Sequence, residues 1–455
     1  MIENILILSV GGSPEPLIFS INKFNPDRII FLHTPQTFKE IDKIIKETKY
    51  SKNIESFEIT DPESLDESFA VSKKVFSSFS DSNSYEVTVD FTGGTKPMVS
   101  GIVLAVVEGN YSNFKFSYVG SKDSESRNKN GVGIVKDGSE ITKMQINPYK
   151  KYAITEFKRG KSFFNSYQFE AARENFTCAK RRLEHDENQV NLAVIYRKLV
   201  KFYQIWDKFY DKKSRSLDLY DYLTDINNKI KGNKYNYDSF NGTDFYIQLN
   251  NNLKFLSLKM RGVEMEDEDN SESALLKNRI KYYLPDLINN ARRRIDEAKY
   301  DDAVARLYRV NELIAQIKLC EYDLILENRL QAQKEFVISV DKIKQKARGQ
   351  TNETAIGAFI ERNSNKKDLN KGILRLSNDR SYELLEFFDF EKEEKFDELN
   401  TALKVRNNSI LAHGLNPISE EKAIALFEKT VVYASSYFED LEDLMELAKF
   451  PKFEI

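Results

Sequence analysis

Short apolar runs alternate with longer amphipathic stretches over the first 150 residues. Five runs have the length of buried strands: Ile5–Val10, Arg28–His33, Ile54–Ile59, Tyr85–Asp90 and Phe114–Val119. The stretches between them repeat apolar residues at helical spacing, near Leu17–Phe24, Phe38–Thr48, Glu63–Phe79 and Met98–Glu108. Such alternation predicts a parallel sheet with helices on both faces. We therefore expect an α/β, Rossmann-like N-terminal domain.

This domain is expected to close with a β-hairpin. Two strand-like segments, Gly131–Val135 and Glu140–Ile146, flank the turn residues Lys136–Ser139. The turn contains Asp-Gly, a pair that tight hairpin turns favour. Asn147-Pro148 then marks the end of the domain.

From Tyr152 onwards, apolar residues recur at helical spacing, which predicts an all-α C-terminal half. Residues 157–173 and 291–306 share one rhythm: a helix, a short turn around an aromatic residue, and a second helix beginning with Ala-Ala or Ala-Val. Two copies are too few for a solenoid. We interpret each as a helical hairpin.

Two long amphipathic helices are predicted near the end of the sequence, at Phe387–Ala412 and Ser419–Leu447. Gly414 and Pro417 separate them as stop signals. The whole chain is thus expected to have three parts, 1–150, 151–284 and 285–455. In the middle part, the acidic run Glu264–Asp269 is interpreted as a solvated loop.

Composition excludes several classes of protein. Among the 455 residues, 68 Lys and Arg balance 71 Asp and Glu, so no basic coat for nucleic acid covers the whole protein. The two cysteines, Cys178 and Cys320, lack CxxC spacing, which argues against a disulfide framework and a structural zinc site. The best apolar run, Gly101–Val107, is far shorter than the ~20 residues of a membrane span. We expect a cytoplasmic protein without a metal cofactor or membrane partner.

Glycine-rich loops follow two of the predicted strands. Gly11-Gly12-Ser13-Pro14 follows the first strand, and Phe91–Met98, with Thr-Gly-Gly-Thr-Lys, follows the fourth. Both lead into helices, whose N-termini favour anions, and paired glycines allow close approach of backbone N–H groups. Neither loop is GxxxxGK[ST] or GxGxxG, which disfavours a nucleotide triphosphatase and a dinucleotide oxidoreductase.

The loop His33–Thr37, after the second strand, can reach the same sheet edge. We therefore predict a site for a phosphate-bearing ligand, with the candidate residues Gly11, Gly12, Ser13, Thr34, Gln36, Asp90, Thr92, Gly93, Gly94, Thr95 and Lys96. The alternative is that the glycines only make tight turns between strands and helices.

Candidate catalytic residues lie on the segment Phe396–His413. Its heptad seam holds Arg406 and His413 at positions where apolar residues are expected, about 10 Å apart along the helix. Asn407 follows directly. An Arg–His pair suits RNA cleavage by the 2′-hydroxyl, because histidine moves protons near neutral pH and arginine neutralises phosphorane charge. The structural alternative is an interfacial arginine and a hydrogen-bonded core histidine.

These motifs resemble a known architecture. Arg406–His413 is similar to the R-x(4–6)-H motif of HEPN ribonucleases, and the N-terminal domain with Asp90–Lys96 resembles a CARF domain. In this order they resemble the CARF–HEPN ancillary ribonucleases of type III CRISPR systems. The resemblance implies a homodimer in which cyclic oligoadenylate, as allosteric activator, switches on metal-independent cleavage of single-stranded RNA. It implies catalytic roles for Arg406, Asn407 and His413.

Two other functions remain open at this stage. The sheet domain can sense a nucleotide while the helices recruit another protein, without catalysis. A nucleotide-sensing transcription regulator is the third possibility, although the C-terminal half shows no convincing recognition-helix module.

Overall fold

The computed structural model describes residues 2–122, 135, 138–183, 185–214, 217–261, 280–326, 336–391, 399 and 415–455. The chain divides into two compact units. The first contains residues 1–156 and 181–186, and the second contains residues 157–180 and 187–455.

A six-stranded sheet forms the centre of the first unit. Its strands are β1 (Glu3–Ser9), β2 (Arg28–His33), β3 (Asn53–Glu58), β4 (Tyr85–Asp90), β5 (Phe114–Ser121) and β6 (Glu140–Gln145). Their spatial order is β3-β2-β1-β4-β5-β6. Strands β1 to β5 run parallel, and β6 pairs antiparallel with β5. The expected Rossmann-like fold is confirmed.

Only part of the predicted terminal hairpin lies within the described residues. Its second arm is β6, which pairs with β5 from Phe116–Gln145 to Ser121–Glu140. Residues 131–134 of the predicted first arm, with Lys136 and Asp137 of the turn, lie outside the described residues.

Helices cover both faces of the sheet because the strands alternate their side chains between the two. Ile5 and Ile7 of β1 pack in a core with residues of α3 (Leu65–Ser77) and α4 (Lys96–Gly109). Leu6 and Leu8 pack in a second core with residues of α1 (Glu15–Phe24) and α2 (Phe38–Thr48). Buried parallel strands carry such continuous apolar runs. The short helix α5 (Pro148–Lys151) follows β6.

The second unit is mainly helical, as the C-terminal half was predicted to be. Its helices are α6 (Ile154–Asn165, which begins in the first unit), α7 (Phe169–Arg182), α8 (Glu187–Asp207), α9 (Leu219–Lys231), α10 (Lys234–Phe240), α11 (Asp244–Arg261), α12 (Tyr283–Asp296), α13 (Tyr300–Glu321), α14 (Val340–Ala347), α15 (Glu353–Asn363), α16 (Lys366–Leu369), α17 (Asn378–Glu386), α18 (Glu420–Ser435) and α19 (Leu441–Leu447). Two short antiparallel pairs join β7 (Lys212–Ser214) to β8 (Leu217–Asp218) and β9 (Ile338–Ser339) to β10 (Ile373–Leu374). No helix in the described ranges combines the length and apolarity needed to cross a membrane.

Both predicted helical hairpins are present and turn in the same way. Helices α6 and α7 form one, and α12 and α13 form the other. Tyr167 and Ala298 end the first helix of each pair in the left-handed conformation, with φ of 60° and 57°. In each turn the next N–H reaches back to a helix carbonyl at 2.8 Å, Gln168 to Phe163 and Lys299 to Arg294. This is the hydrogen-bond pattern of a Schellman C-cap.

The two long helices predicted near the end of the sequence need correction. Ser419–Leu447 is two helices, α18 and α19, because the Ser436 hydroxyl donates to the Tyr433 carbonyl at 2.7 Å and competes with the helical pattern. Phe387 does not begin a helix but caps the end of α17, and Asp389 has a φ of 63°. Within this predicted helix, residues 392–398 and 400–412 lie outside the described residues.

Helices α3 and α4 approach so closely that only glycine fits at residue 101. A Cβ placed on Gly101 would lie 2.7 Å from the amide nitrogen of Phe69 and 2.9 Å from the carbonyl oxygen of Leu65. We expect Gly101→Ala to lower the free energy of unfolding of the first unit by about 1–3 kcal/mol, because the helices must move apart. Native-state hydrogen exchange of the α3 and α4 amides measures this change.

The matched control is Gly357→Ala within α15. No atom lies within 4 Å of a Cβ placed there. This substitution is expected to stabilise α15 by about 0.5–1 kcal/mol, because alanine loses less backbone entropy in a helix. Equal effects of the two substitutions would contradict the close packing of α3 on α4.

Candidate functional site

A cleft lies where the order of the parallel strands reverses. Strand β1 lies between β2 and β4, so the loops after β1 and β4 diverge at the carboxyl edge of the sheet, where open α/β folds bind ligands. The cleft has a volume of about 440 Å³ and is lined by Val10, Gly11, Gly12, Ser13, Pro16, Thr34, Gln36, Thr37, Pro62, Thr92, Gly93, Gly94, Thr95 and Met98.

The two glycine loops touch each other at the base of this cleft. The Ser9 hydroxyl donates a hydrogen bond of 2.6 Å to the carbonyl of Gly93. A Cβ on Gly93 would lie 2.4 Å from the Ser9 carbonyl oxygen, and one on Gly11 would lie 2.6 Å from the Gly94 nitrogen. Both distances are far inside van der Waals contact. Glycine at 11 and 93 is therefore required for the loops to pack.

Asp90 supports the fourth-strand loop from below. Its carboxylate is 2 % exposed and accepts hydrogen bonds from the hydroxyls of Ser20 at 2.7 Å and Ser117 at 3.0 Å. Its second oxygen accepts the backbone N–H of Thr92 at 3.0 Å. The Thr92 hydroxyl in turn accepts the N–H of Val119 at 2.8 Å. The buried carboxylate thus holds the backbone of the loop in place.

Thr95 joins the start of α4 to the loop after β3. Its hydroxyl caps the helix by accepting the N–H of Met98 at 3.3 Å, and it donates to the carbonyl of Pro62. This contact brings Pro62 into the lining of the cleft.

The loop that carries Pro62 is fixed by hydrogen bonds to the first turn of α3, where Ser64 is the N-cap. The Ser64 hydroxyl accepts the N–H of Glu67 at 3.1 Å. The Glu67 carboxylate accepts the N–H groups of Asp61 at 2.9 Å and Thr60 at 2.7 Å, both in the loop before the helix. Both backbone hydrogen bonds lower the pKa of Glu67, and the bond from Asp61 has the larger effect.

Three helices begin at the rim of the cleft. Ser13, Thr37 and Thr95 line it and lie within two residues of the starts of α1, α2 and α4. None of the described residues that line the cleft carries a charged side chain. Helix N-termini, backbone N–H groups and hydroxyls are therefore the groups that an anion would meet in this cleft.

The structure gathers most of the predicted ligand residues around this one cleft. Gly11, Gly12, Ser13, Thr34, Gln36 and Thr92–Thr95 line it, whereas Asp90 and Lys96 do not. The side chain of Lys96 is exposed at the first position of α4, directly after the lining residue Thr95.

Sequence reasoning missed Val10, Pro16, Thr37, Pro62 and Met98 among the lining residues. Thr37 could have been predicted from the sequence, because it lies in the loop after β2 and hydroxyl residues favour local turns. In the structure its hydroxyl accepts the Thr34 N–H at 3.0 Å. Pro62 and Met98 carry no such local signal.

The predicted catalytic residues Arg406, Asn407 and His413 lie outside the described residues. Within the described ranges, no group of three or more His, Cys, Asp or Glu side chains is placed to hold a metal ion.

We expect Gly93→Ala to destabilise the first unit by about 1–3 kcal/mol, because its Cβ would overlap the Ser9 carbonyl. The control is Gly12→Ala, where no atom lies within 4 Å of the new Cβ, and its effect should stay within about 0.5 kcal/mol. Urea titration with pulse proteolysis measures both. A Gly93→Ala protein as stable as Gly12→Ala would show that the loops do not need their close approach.

Comparisons with known proteins match both halves of the chain. The family model of the Card1 CARF domain matches residues 16–147, and that of the Csm6 HEPN domain matches residues 272–436. No curated protein matches the chain.

Solved structures add a likeness of fold. Enterococcus italicus Csm6 bound to cyclic hexa-2′-fluoro-hexa-dAMP is 13% identical, with 98% of each chain covered and a TM-score of 0.52. Can2 from Sulfobacillus thermosulfidooxidans, in complex with cyclic tetra-adenylate, is 13% identical over 49% of this chain and 57% of that chain, and its TM-score of 0.24 is too low to indicate a shared fold. Matches to a CARF domain and, after it, a HEPN domain in one chain together support a CARF–HEPN ribonuclease.

Proposed function

We propose that this chain is a cytoplasmic, cyclic oligoadenylate-activated endoribonuclease that cleaves single-stranded RNA without metal in type III CRISPR antiviral defence. The observation that carries the proposal is the cleft at the strand-order reversal, where three helices begin within a CARF domain. The Csm6-type HEPN match over residues 272–436 supports the nuclease half of the proposal.

The chemistry of the cleft suits a phosphodiester ligand. Hydroxyls of Ser13 and Thr34 and the amide of Gln36 offer donors and acceptors to ribose, base and phosphate, and the glycine loops offer backbone N–H groups. Its volume of about 440 Å³ falls within the range of about 300–1,000 Å³ that is usual for small-ligand sites. A ring of several adenylates needs more surface than one cleft presents. A second copy, related by a two-fold axis, supplies the matching half.

Activation follows from differential binding. A ring that bridges two copies and binds one relative pose more tightly shifts the population towards that pose. The attached HEPN domains follow, and the proposed catalytic residues of the two copies then form one composite site.

In that site, His413 exchanges protons with the attacking 2′-hydroxyl and the leaving 5′-oxygen. Arg406 neutralises the charge that develops on the phosphate, and Asn407 hydrogen-bonds to backbone or substrate. All three lie inside the residues that match the Csm6 HEPN model. Their assignment rests on the Arg406–His413 motif.

Ring binding can be tested with a panel of cyclic adenylates of different sizes and isothermal titration calorimetry. We expect one ring size to bind at one ring per two chains. Lys96→Ala is expected to weaken binding about tenfold, because the exposed ammonium lies beside the cleft and a charged hydrogen bond contributes about 1.5–3 kcal/mol.

The control is Lys46→Ala, an exposed lysine in the last turn of α2, at the opposite end of that helix from the cleft. Its effect on ring affinity should be negligible. Absence of binding by every ring in the panel would refute the sensing half of the proposal.

RNA cleavage tests the nuclease half. With the bound ring present, His413→Ala should lose activity by about 10²–10⁴-fold, the usual contribution of a general acid or base, while ring affinity is unchanged. His185→Ala removes an exposed histidine elsewhere in the chain and should cleave normally. Cleavage should persist in EDTA. Strict dependence on a divalent metal, or full activity of His413→Ala, would overturn the mechanism.

A further inference from the structure

An irregular segment after the last helix is buried against the helical region 157–261. Residues 448–454 follow α19 and form no regular secondary structure. Nevertheless Phe450 and Phe453 are 8 % and 6 % exposed, and both belong to the hydrophobic core formed largely by α6 to α11. Lys452, which lies between the two phenylalanines, and Glu454, which follows the second, are exposed.

Phe453 enters a pocket made of aromatic rings. Its ring stacks on Phe245 with a centroid distance of 4.1 Å and an angle of 14°. Phe164 and Tyr196 contact it at 5.0 Å and 4.9 Å. Such pairs add to the free energy of simple burial.

Phe450 enters a second pocket, in which the cationic side chain of Arg293 lies over its ring. The Arg293 guanidinium lies 3.8 Å from the centre of the Phe450 ring, with Tyr203 and Trp206 at 4.8 Å and 5.1 Å. Asp207 fixes that guanidinium through a hydrogen bond of 2.8 Å from Arg293 Nε. The two pockets thus hold phenylalanine side chains at two positions three residues apart.

Side-chain amides satisfy the backbone of the segment. Asn165 Nδ2 donates to the Phe453 carbonyl at 2.8 Å, and its Oδ1 accepts the Phe453 N–H at 2.8 Å. Asn252 Nδ2 donates to the carbonyls of Leu447 and Lys449 at 2.8 Å and 2.7 Å.

Gln248 adds a further donor, at 2.9 Å from the Glu446 carbonyl and 3.0 Å from that of Lys449. Tyr203 donates to Asn252 Oδ1 at 2.8 Å and so orients the Asn252 amide. A buried irregular backbone needs such partners, because it lacks a helical or sheet ladder. Backbone hydrogen bonds combined with pockets for alternate side chains are the features by which proteins bind extended peptides.

We propose that the region 157–261, together with Arg293 of α12, forms a peptide-binding groove, and that its ligand class is a peptide without regular secondary structure that has phenylalanine at positions i and i+3. In this chain the groove is filled in cis by residues 447–454. Because α19 leads directly into this segment, the groove holds residues that follow the HEPN-matching residues 272–436. The proposal is independent of ring sensing and RNA cleavage.

The test uses a fluorescein-labelled synthetic peptide of residues 446–455 and the full-length chain. Wild type should not bind the peptide, because its own tethered segment competes at a high effective concentration. Phe450→Ala/Phe453→Ala should bind it, seen as increased fluorescence anisotropy and as a change in emission of Trp206, the only tryptophan in the sequence. A peptide with both phenylalanines replaced by alanine should not bind.

Groove variants in the same double-alanine background locate the binding. Asn165→Ala/Asn252→Ala should weaken peptide binding about tenfold or more, because four hydrogen bonds are lost. Asn250→Ala is the matched control, since the Asn250 amide bonds only to the Tyr246 carbonyl of its own helix at 2.8 Å among the contacts seen. The proposal is overturned if the double-alanine chain folds natively but does not bind the peptide. It is also overturned if wild type binds the peptide as tightly as the double-alanine chain does.

Hydrogen exchange decides the case if the double-alanine chain does not fold. In Asn165→Ala alone, the amides of residues 447–454 should exchange about tenfold faster than in wild type, while those of α8 keep their protection. Phe163→Ala, an exposed side chain on the same helix, should change neither set. Uniform loss of protection across 157–261 would show that the segment is an ordinary part of the core, contrary to the proposal.

Discussion

The near-contact of two loops determines the geometry of the ligand cleft. The loops after β1 and β4 pack with backbone against backbone, at a distance where Gly11 and Gly93 leave no room for a side chain. The Ser9 hydroxyl joins them, and the Asp90 carboxylate fixes the second loop from beneath. The packed loops set the direction of the helices that begin at them. The positions of the polar groups in the cleft therefore depend on this packing.

Much of the first unit was predictable because buried parallel strands are continuous apolar runs. The bounds of Arg28–His33 and Tyr85–Asp90 are those that the hydrophobic pattern indicates. The cleft residues were predictable in kind, since loops at the carboxyl ends of neighbouring strands must meet. The inward direction of Asp90 was not, because it depends on Ser20 and Ser117, which are distant in sequence. Pro62 lines the cleft through its contact with Thr95, which is equally non-local.

The helical region 157–261 shows where composition misleads. Its many Asn, Tyr and Lys residues are typical of a polar surface insertion, and its fold was not predictable beyond helical spacing. In the structure, Asn252 and Asn227 are buried and hydrogen-bonded. Buried asparagines can satisfy backbone groups that no regular element can reach. A hydrophobicity pattern counts them as exposed, and therefore conceals a core that is rich in aromatic rings.

The helix ends of the second unit bear on how the protein can change over time. Tyr167, Phe209, Ala298 and Asp323 all occupy left-handed backbone positions that glycine would adopt without steric penalty. For other residues this conformation costs roughly 1–2 kcal/mol each. At Tyr167, Phe209 and Asp323 the side chain makes contacts that glycine would lose. Ala298 is exposed and presents only a methyl group, so glycine at this turn can raise stability and compensate for mutations that alter specificity.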